Sequence, residues 1–417
     1  MPLGRNQIEA NQLAALNRLL AELRANPFYA PRTPASVTSI QDFITRTPFT
    51  YKRELVDDQL AQPPFGTNLT YPLTSYTRFN QTSGTMGTPL RWIDTQQSWS
   101  WMLDCWTRVL EAAAVKPGER LFFAFSFGPF LGFWTGFEAA TRMGCLAIPG
   151  GGMRSVARLH ALAGARATVL CCTPTYALHL TEIADEAGID VTKLGIRAII
   201  VAGEPGGSIA GTRALIEKLW GGAKVVDHHG MTEIGPVSYG CPVKRGVLHV
   251  MEDKYVAEIV HPETGASLEH GATGELVLTN LGRGAAPLLR YRTGDLVKTS
   301  ANPHCECGTS DLALEGGILG RTDDMVVVRG VNVYPGAVEH ILRSAGGVTE
   351  YRVAISSNRS LTEIRIEVEA ASDGDTGLVH RIEAAMRDAL SLRVPVTIAP
   401  PGTLPRFEMK AKRWIRT

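Results

Sequence analysis

The chain has 417 residues, 44% of them hydrophobic, and a near-balanced charge of 42 Lys+Arg against 41 Asp+Glu. A net charge of +1 excludes capture of nucleic acid or of an anionic membrane by bulk field, so any bound anion must be held by a local site. At roughly 150 residues per domain the length gives two or three domains with cores of their own, and 42 Gly and 24 Pro spread among apolar segments exclude collagenous or low-complexity sequence.

The first 75 residues read as one helix followed by a Pro/Thr-rich stretch. Ile8, Leu13, Leu16, Leu19, Leu20 and Leu23 recur at helical spacing but are interrupted by Asn, Arg and Glu. That pattern lacks the unbroken apolar core of a signal peptide, and no segment reaches the ~20 apolar residues of a membrane span. Seven cysteines in so long a chain do not make a secreted disulfide framework, so a reduced, cytoplasmic setting is expected. Cys105, Cys145, Cys171 and Cys172 lie in apolar runs and are expected in the core.

From Leu121 short apolar runs alternate with helix-length segments: LFFAFSF, GCLAIPGGG, ATVLCCTP, IRAIIVAGEP and AKVVDHHG. This predicts parallel strands with crossover helices. Gly203-Glu204-Pro205 and the run from His228 to Glu233 then fall at carboxyl ends of strands, where open α/β sheets bind ligands. After Gly240 the texture changes to short strands and turns, predicting a β-rich subdomain. From Met325 onward a strand, helix, two strands, helix and strand predict a self-contained α+β unit. No repeat at solenoid or propeller period is visible.

Five segments carry chemistry. Thr82-Ser83-Gly84-Thr85-Met86-Gly87-Thr88 sets glycines among hydroxyls, a backbone nest suited to a polyphosphate, although a polar hairpin loop has the same composition. No Lys-Ser/Thr follows the second glycine, which excludes a Walker-type P-loop. Thr232-Glu233 at a strand end suits Mg²⁺ bridging phosphate oxygens, while spacing alone favours a helix start with Glu in its first turn. Asp295, in Arg290-Tyr291-Arg292-Thr293-Gly294-Asp295, can accept two ribose hydroxyls or simply pair with Arg in a surface turn. Arg321-Thr322-Asp323-Asp324 is a hinge or a plain linker. Lys410, in a basic tail, can supply positive charge at an α-phosphate or be solvated.

Taken in order, these segments resemble the adenylate-forming superfamily of acyl-CoA synthetases, luciferases and peptide-synthetase adenylation domains. Within it the chain is most similar to phenylacetate–CoA ligases, through PFTYKREL, CTPTYALHL, HPETG, YRTGDL, DDMVVVRGVNVYP and PRFEMKAKR. The resemblance runs from about Asn26 to Lys412. It implies an α/β fold with a large multi-part N-terminal domain over 1–322, made of mixed and parallel sheets, helices and a β-rich subdomain at about 240–322. A small mobile α+β C-terminal domain follows over 323–417.

The resemblance also implies roles. Thr82, Ser83, Gly84, Thr85 and Gly87 would close over the β- and γ-phosphates, and Gly203, Glu204 and Pro205 would line adenine. Thr232 and Glu233 would hold the α-phosphate and Mg²⁺, Asp295 and Arg321 the ribose, with Asp323 as hinge and Lys410 as catalyst of adenylation. The reaction implied is ATP-dependent activation of an aryl or arylacetic acid to acyl-AMP, then transfer to coenzyme A. Transfer to a carrier protein or an amine, and a homodimeric assembly, stay open. Two departures bear on this: His228-His229 replaces the family's usual aromatic residue near Thr-Glu, leaving His228 to stack on adenine or acyl group, and Met409 replaces the usual Gly before Lys410, with Lys412 as fallback.

One constellation stands apart. Cys241 and His249 with Cys305 and Cys307 offer four ligands for a closed tetrahedral Zn²⁺ site, and similar cysteines occur in some members of the resembled family; unlinked reduced thiols are the alternative. Gly150-Gly151-Gly152, with Phe125, Phe127 and Tyr176, are candidate walls of an acyl pocket or ordinary loop and core.

Overall fold

The computed structural model describes residues 4–82, 89–302, 304–329, 331–358, 361–371, 375–407 and 411–417. The chain opens with α1 (Arg5–Glu22), which buries Ile8, Gln12, Leu16, Leu19 and Leu20 along one stripe. The Pro/Thr-rich stretch contains two short helices that periodicity does not announce: α2 (Ile40–Arg46), where the Ser39 side chain accepts from the Asp42 N–H, and α3 (Lys52–Ala61), where the Glu54 carboxylate accepts from the Tyr51 N–H. A hairpin follows, β1 (Tyr76–Gln81) paired antiparallel with β2 (Arg91–Thr95). Its tip, residues 83–88, lies outside the described residues.

After α4 (Gln96–Ala112), capped by Thr95, the alternating pattern folds as expected. Strands β3 (Arg120–Phe123), β4 (Leu146–Pro149), β5 (Val169–Cys172), β6 (Ala198–Val201) and β7 (Lys224–Asp227) form a parallel sheet in the order β4-β3-β5-β6-β7. Helices α5 (Leu131–Arg142), α6 (Ser155–Gly164), α7 (Pro174–Glu186) and α8 (Ala210–Leu219) make the crossovers. β5 and β6 are buried along their whole length, because both faces of the sheet are covered. One face, with Leu121, Phe123, Val169, Cys171 and Ile200, packs on α4 and α5; the other, with Phe122, Leu170, Cys172 and Ile199, packs under α6, α7 and α8. Cys105, Cys145, Cys171 and Cys172 are all buried.

A small hairpin, β8 (Gly230–Met231) with β9 (Gly235–Pro236), leads into β10 (Ser238–Gly240), β11 (Val247–Val250), β12 (Tyr255–Val260), β13 (Thr273–Asn280), β14 (Tyr291–Thr299) and β15 (Ala313–Arg321). The last six form an antiparallel sheet, β10-β11-β15-β14-β13-β12, as the short-strand texture predicts. Beyond it, β16 (Val326–Val328) pairs with β17 (Val331–Val333). Then α9 (Pro335–Ala345), β18 (Val348–Asn358), β19 (Leu361–Ala370), α10 (Leu378–Leu390), β20 (Val396–Ala399) and β21 (Trp414–Arg416) build a sheet ordered β20-β19-β18-β21. Its core, including Val353, Ile366, Leu342, Ile382 and Met386, is separate from the clusters on the two faces of the parallel sheet. The basic tail is therefore no free end: β21 runs parallel to β18, with Trp414 opposite Val353. Among the described residues no helix is long and apolar enough to cross a membrane.

The loop between β13 and β14 shows how tightly these parts meet. A Cβ on Gly282 would overlap the Trp101 indole of α4, and that indole packs edge-on against Tyr255 at 5.3 Å. Gly282→Ala is expected to lower the unfolding free energy by about 1–3 kcal/mol. Trp101→Leu in the same chain should restore part of it, measured by denaturant unfolding; equal stability of Gly282→Ala and the parent chain would contradict this packing.

Candidate functional site

The run from His228 to Pro236 does not start a helix. Thr232, Glu233 and Ile234 form the turn of the β8–β9 hairpin, placed just past the carboxyl end of β7. Glu233 is only 5% exposed; its carboxylate meets the Lys52 ammonium at 2.9 Å and the Tyr291 hydroxyl at 3.5 Å. Behind the turn lies Arg283. Its Nη1 donates to the Thr232 carbonyl at 2.7 Å and the Glu233 carbonyl at 3.1 Å, while Nε and Nη2 both hold Asp94 at 2.7 Å. Both side chains of this pair are 0% exposed, and the guanidinium lies over the Trp92 ring. Sequence reading passes over Lys52, Asp94, Arg283 and Tyr291, because no short motif marks a buried pair whose partners stand so far apart in the chain.

Asp295 and Arg321 are cross-strand neighbours on β14 and β15. Arg321 Nη1 donates to Asp295 Oδ1 at 3.2 Å, and its Nε to Asp323 Oδ1 at 2.8 Å. Gly294, at φ +75°, is required here: a Cβ would stand 2.7 Å from Arg321 Nη2. Asp295 Oδ2 meets His229 Nε2 at 2.9 Å. Of the histidine pair it is thus His229 that joins the Asp295 cluster. His228 is buried, its Nδ1 against the Ser238 carbonyl at 2.6 Å and its ring 4.4 Å from that of Trp106. Burial pushes its pKa down to about 4, so it stays neutral near pH 7.

Gly203 and Pro205 are exposed just beyond β6, and Gly203 takes φ +95°. Glu204 between them turns inward. Its two oxygens accept from the Thr175 N–H at 2.8 Å, in the first turn of α7, and from the Ala411 N–H at 2.9 Å, in the C-terminal tail. Burial pushes this carboxyl up, against those hydrogen bonds. Thr82 pairs with Leu90 at the base of the β1–β2 hairpin, by backbone and through its hydroxyl at 3.0 Å. The expected phosphate-loop residues Ser83, Gly84, Thr85 and Gly87, and the expected catalytic Lys410, lie outside the described residues.

An aromatic cluster, partly exposed, occupies the carboxyl end of β3. Phe125 stacks on Phe133 of α5, and Phe127 packs edge-on against Trp134 and Phe137 at 4.9 and 5.4 Å. A Cβ on Gly151 would stand 3.0 Å from the Phe127 ring, so this glycine lets the loop after β4 lie against the cluster. Through α5 and Trp106 the cluster abuts the β8–β9 hairpin. Tyr176 is elsewhere, in the core on the opposite face of the sheet, with its hydroxyl 3.0 Å from Ser155.

The ligand atoms of Cys241, His249, Cys305 and Cys307 all lie within 4.8 Å of one another. Cys241 Sγ is 3.7 Å from Cys305 Sγ, and Cys307 Sγ is 3.5 Å from His249 Nε2. Tetrahedral bonds of about 2.0–2.3 Å to a central ion require edges near 3.3–3.8 Å. His249 Nδ1 faces the Asp311 carbonyl at 3.2 Å, which fixes the tautomer that leaves Nε2 free as a ligand. The Lys244 N–H points at Cys241 Sγ at 3.1 Å.

The AMP-binding enzyme family matches residues 79–283, and the AMP-binding enzyme C-terminal domain matches residues 330–417. The phenylacetate-coenzyme A ligase of Thermus thermophilus is 32% identical over 97% of this chain and 95% of its own length. That of Pseudomonas putida is 29% identical over 91% and 85%. A solved structure of 2-hydroxyisobutyryl-CoA ligase in the postadenylation state, with 2-HIB-AMP, superposes with a TM-score of 0.94 at 26% identity, covering 100% of this chain and 91% of that one. The same enzyme with 2-HIB-AMP and CoA in the thioesterification state gives 0.75 at 27% identity, over 100% and 91%.

Asp94→Ala strands a buried guanidinium, and a loss of about 3–5 kcal/mol in unfolding free energy is expected. The double variant Asp94→Leu with Arg283→Met should recover most of that loss. Denaturant unfolding of the two chains checks this, and a double variant no more stable than Asp94→Ala would show that the pair is not the source of the cost.

Proposed function

The chain belongs to the phenylacetate–CoA ligase family of adenylate-forming, AMP-binding enzymes and is an AMP-forming acid–CoA ligase, and from that premise we propose that its acid is an aryl or arylacetic acid. The enzyme joins a carboxylic acid to ATP as acyl-AMP and then transfers the acyl group to coenzyme A. The observation that carries the substrate reading is the cluster of Phe125, Phe127, Phe133, Trp134 and Phe137 abutting the Thr232–Glu233 hairpin. Flat apolar walls with few polar groups suit a planar ring, and edge-on and offset contacts stabilise it beyond area burial. The neutral His228 ring, backed by Trp106, extends that wall toward the hairpin.

In the proposed arrangement the ring of the acid rests in this cluster with its carboxylate toward Thr232. A carboxylate oxygen attacks the α-phosphorus of ATP, the bond from that phosphorus to the bridging oxygen breaks, and pyrophosphate leaves. The coenzyme A thiol then attacks the acyl carbon, and AMP leaves. Neither step needs a protein nucleophile; orientation and charge carry both. The Asp295 carboxylate accepts from the ribose hydroxyls, held in place by His229 and Arg321. Gly203 and Pro205 flank adenine, and Thr82 with residues 83–88 closes on the β- and γ-phosphates. The Glu233 carboxylate, a hard oxygen donor at a buried turn that here pairs with Lys52, would hold Mg²⁺, which would neutralise phosphate charge. Lys410 stabilises the charge developing at the α-phosphate. The small unit beyond about Asp323 turns relative to residues 1–322 between the two steps.

Cys241, His249, Cys305 and Cys307 would hold a structural Zn²⁺. Four protein ligands leave no open position for a water, so the ion would stabilise the β10–β11 edge and the loop before β15 and take no part in the chemistry.

Two measurements test the reading. Pyrophosphate release from ATP should be faster with phenylacetate and benzoate than with short aliphatic acids of equal concentration, and should fall at least 100-fold in Lys410→Ala; a preference for aliphatic acids would contradict the substrate assignment. Metal analysis of the purified protein should give about one Zn²⁺ per chain, lost in Cys305→Ser together with thermal stability. A stable, zinc-free parent chain would reject the site.

A further inference from the structure

The C-terminal unit is fastened to the rest of the chain largely by polar contacts, one of which ends on the Glu204 carboxylate. Glu204 accepts from the Ala411 N–H at 2.9 Å with one oxygen and from the Thr175 N–H at 2.8 Å with the other. The Ala411 N–H belongs to the peptide bond joining it to Lys410, so this hydrogen bond fixes the main chain one bond from the lysine. On one side, Arg413 Nη1 reaches the Thr175 hydroxyl at 3.4 Å while its Nε and Nη2 hold Glu350 at 2.6 and 3.1 Å. On the other, Arg406 spans the junction, with Nε on Glu182 of α7 at 3.0 Å and Nη2 on Glu369 of β19 at 2.7 Å. The helices α8 and α9 meet closely as well: a Cβ on Gly211 would stand 2.8 Å from Arg343 Cβ.

The Glu204–Ala411, Arg413–Thr175 and Arg406–Glu182 contacts and the approach of α8 to α9 span the junction that must reopen if the unit turns. The arrangement in which they form matches that of the relative described as postadenylation more closely than that described as in thioesterification. We propose that Glu204 is a positioning residue for the first half-reaction only: its carboxylate clamps the tail at Ala411 and so places Lys410 for adenylation, and the clamp is released before coenzyme A attacks. Adenine lining by residues 203–205 is thereby tied to lysine placement, because the exposed backbone of Gly203 and Pro205 and the inward carboxylate of Glu204 belong to one turn. Glu182 assists through Arg406. The inference rests on the assignment of Lys410 made above.

The test uses the full-length enzyme and separates the half-reactions. Single-turnover pyrophosphate release from ATP and phenylacetate is measured without coenzyme A, and thioester formation is measured from preformed phenylacetyl-AMP and coenzyme A. Glu204→Ala should slow the first about 10–100-fold, the scale of a misplaced catalytic group, and leave the second within twofold. Glu182→Ala, on a partly exposed side chain that does not cap α7, should slow the same step by a smaller factor and keep the chain folded even where Glu204→Ala does not. Equal slowing of both steps, or of neither, in the folded variants overturns the proposal. Lys410→Ala run alongside distinguishes the failures: if it loses pyrophosphate release while the glutamate variants do not, the clamp is wrong and the lysine stands. If it keeps full pyrophosphate release while the glutamate variants lose it, the clamp stands and positions another group, with Lys412 next in line.

Discussion

A guanidinium with no exposed surface, held between the Asp94 carboxylate and the carbonyls of Thr232 and Glu233, sets the frame on which the rest of the site depends. A charge in such a place is stable only if every donor is met, and breaking one contact leaves the others uncompensated. The consequence is geometric. Asp94 belongs to β2, whose hairpin carries residues 83–88, and Arg283 belongs to the loop between β13 and β14. One buried ion pair therefore ties the β1–β2 hairpin, the Thr232–Glu233 turn and the antiparallel sheet together. Asp295 and Arg321, on β14 and β15 of that sheet, inherit their position from it.

The C-terminal unit is attached on different terms. Its apolar core is closed on itself, and what crosses to the large part is mostly hydrogen bonds, ion pairs and one close helix contact. Polar junctions of this kind exchange readily with water, so a rotation costs little burial of apolar surface. A junction of this kind is what the proposed rotation between the two reactions requires. The cluster of Cys241, His249, Cys305 and Cys307 lies in the large part, on the β10–β11 edge and the loop before β15.

Much of this is legible in the sequence because it is local. The parallel strands show as short apolar runs from Leu121 to Asp227, and the ends of β6 and β7 fall at Gly203 and His228 as expected. Asp295 and Arg321 are joined in the sequence only by the family resemblance, since sequence order lists them as a turn and a linker, and cross-strand pairing is what brings them together. What escapes reading depends on contacts between distant segments. Helices α2 and α3 are too short for periodicity to declare, and β21 exists only because β18 offers an open edge. Of two adjacent histidines, alternation on either side of β7's end sends His228 into the aromatic core and His229 to Asp295, a choice composition cannot make. The side chain of Glu204 is hidden for the same reason: its partners lie about thirty residues before it and two hundred after it.

The enzyme performs two reactions in order, the first complete before coenzyme A is needed. Rapid-quench analysis of enzyme in excess over ATP and phenylacetate, with coenzyme A withheld, tests this most directly. One pyrophosphate per limiting ATP should form in a single phase with phenylacetyl-AMP retained on the protein, and a later addition of coenzyme A should discharge it as thioester. Absence of pyrophosphate until coenzyme A is added would contradict the account.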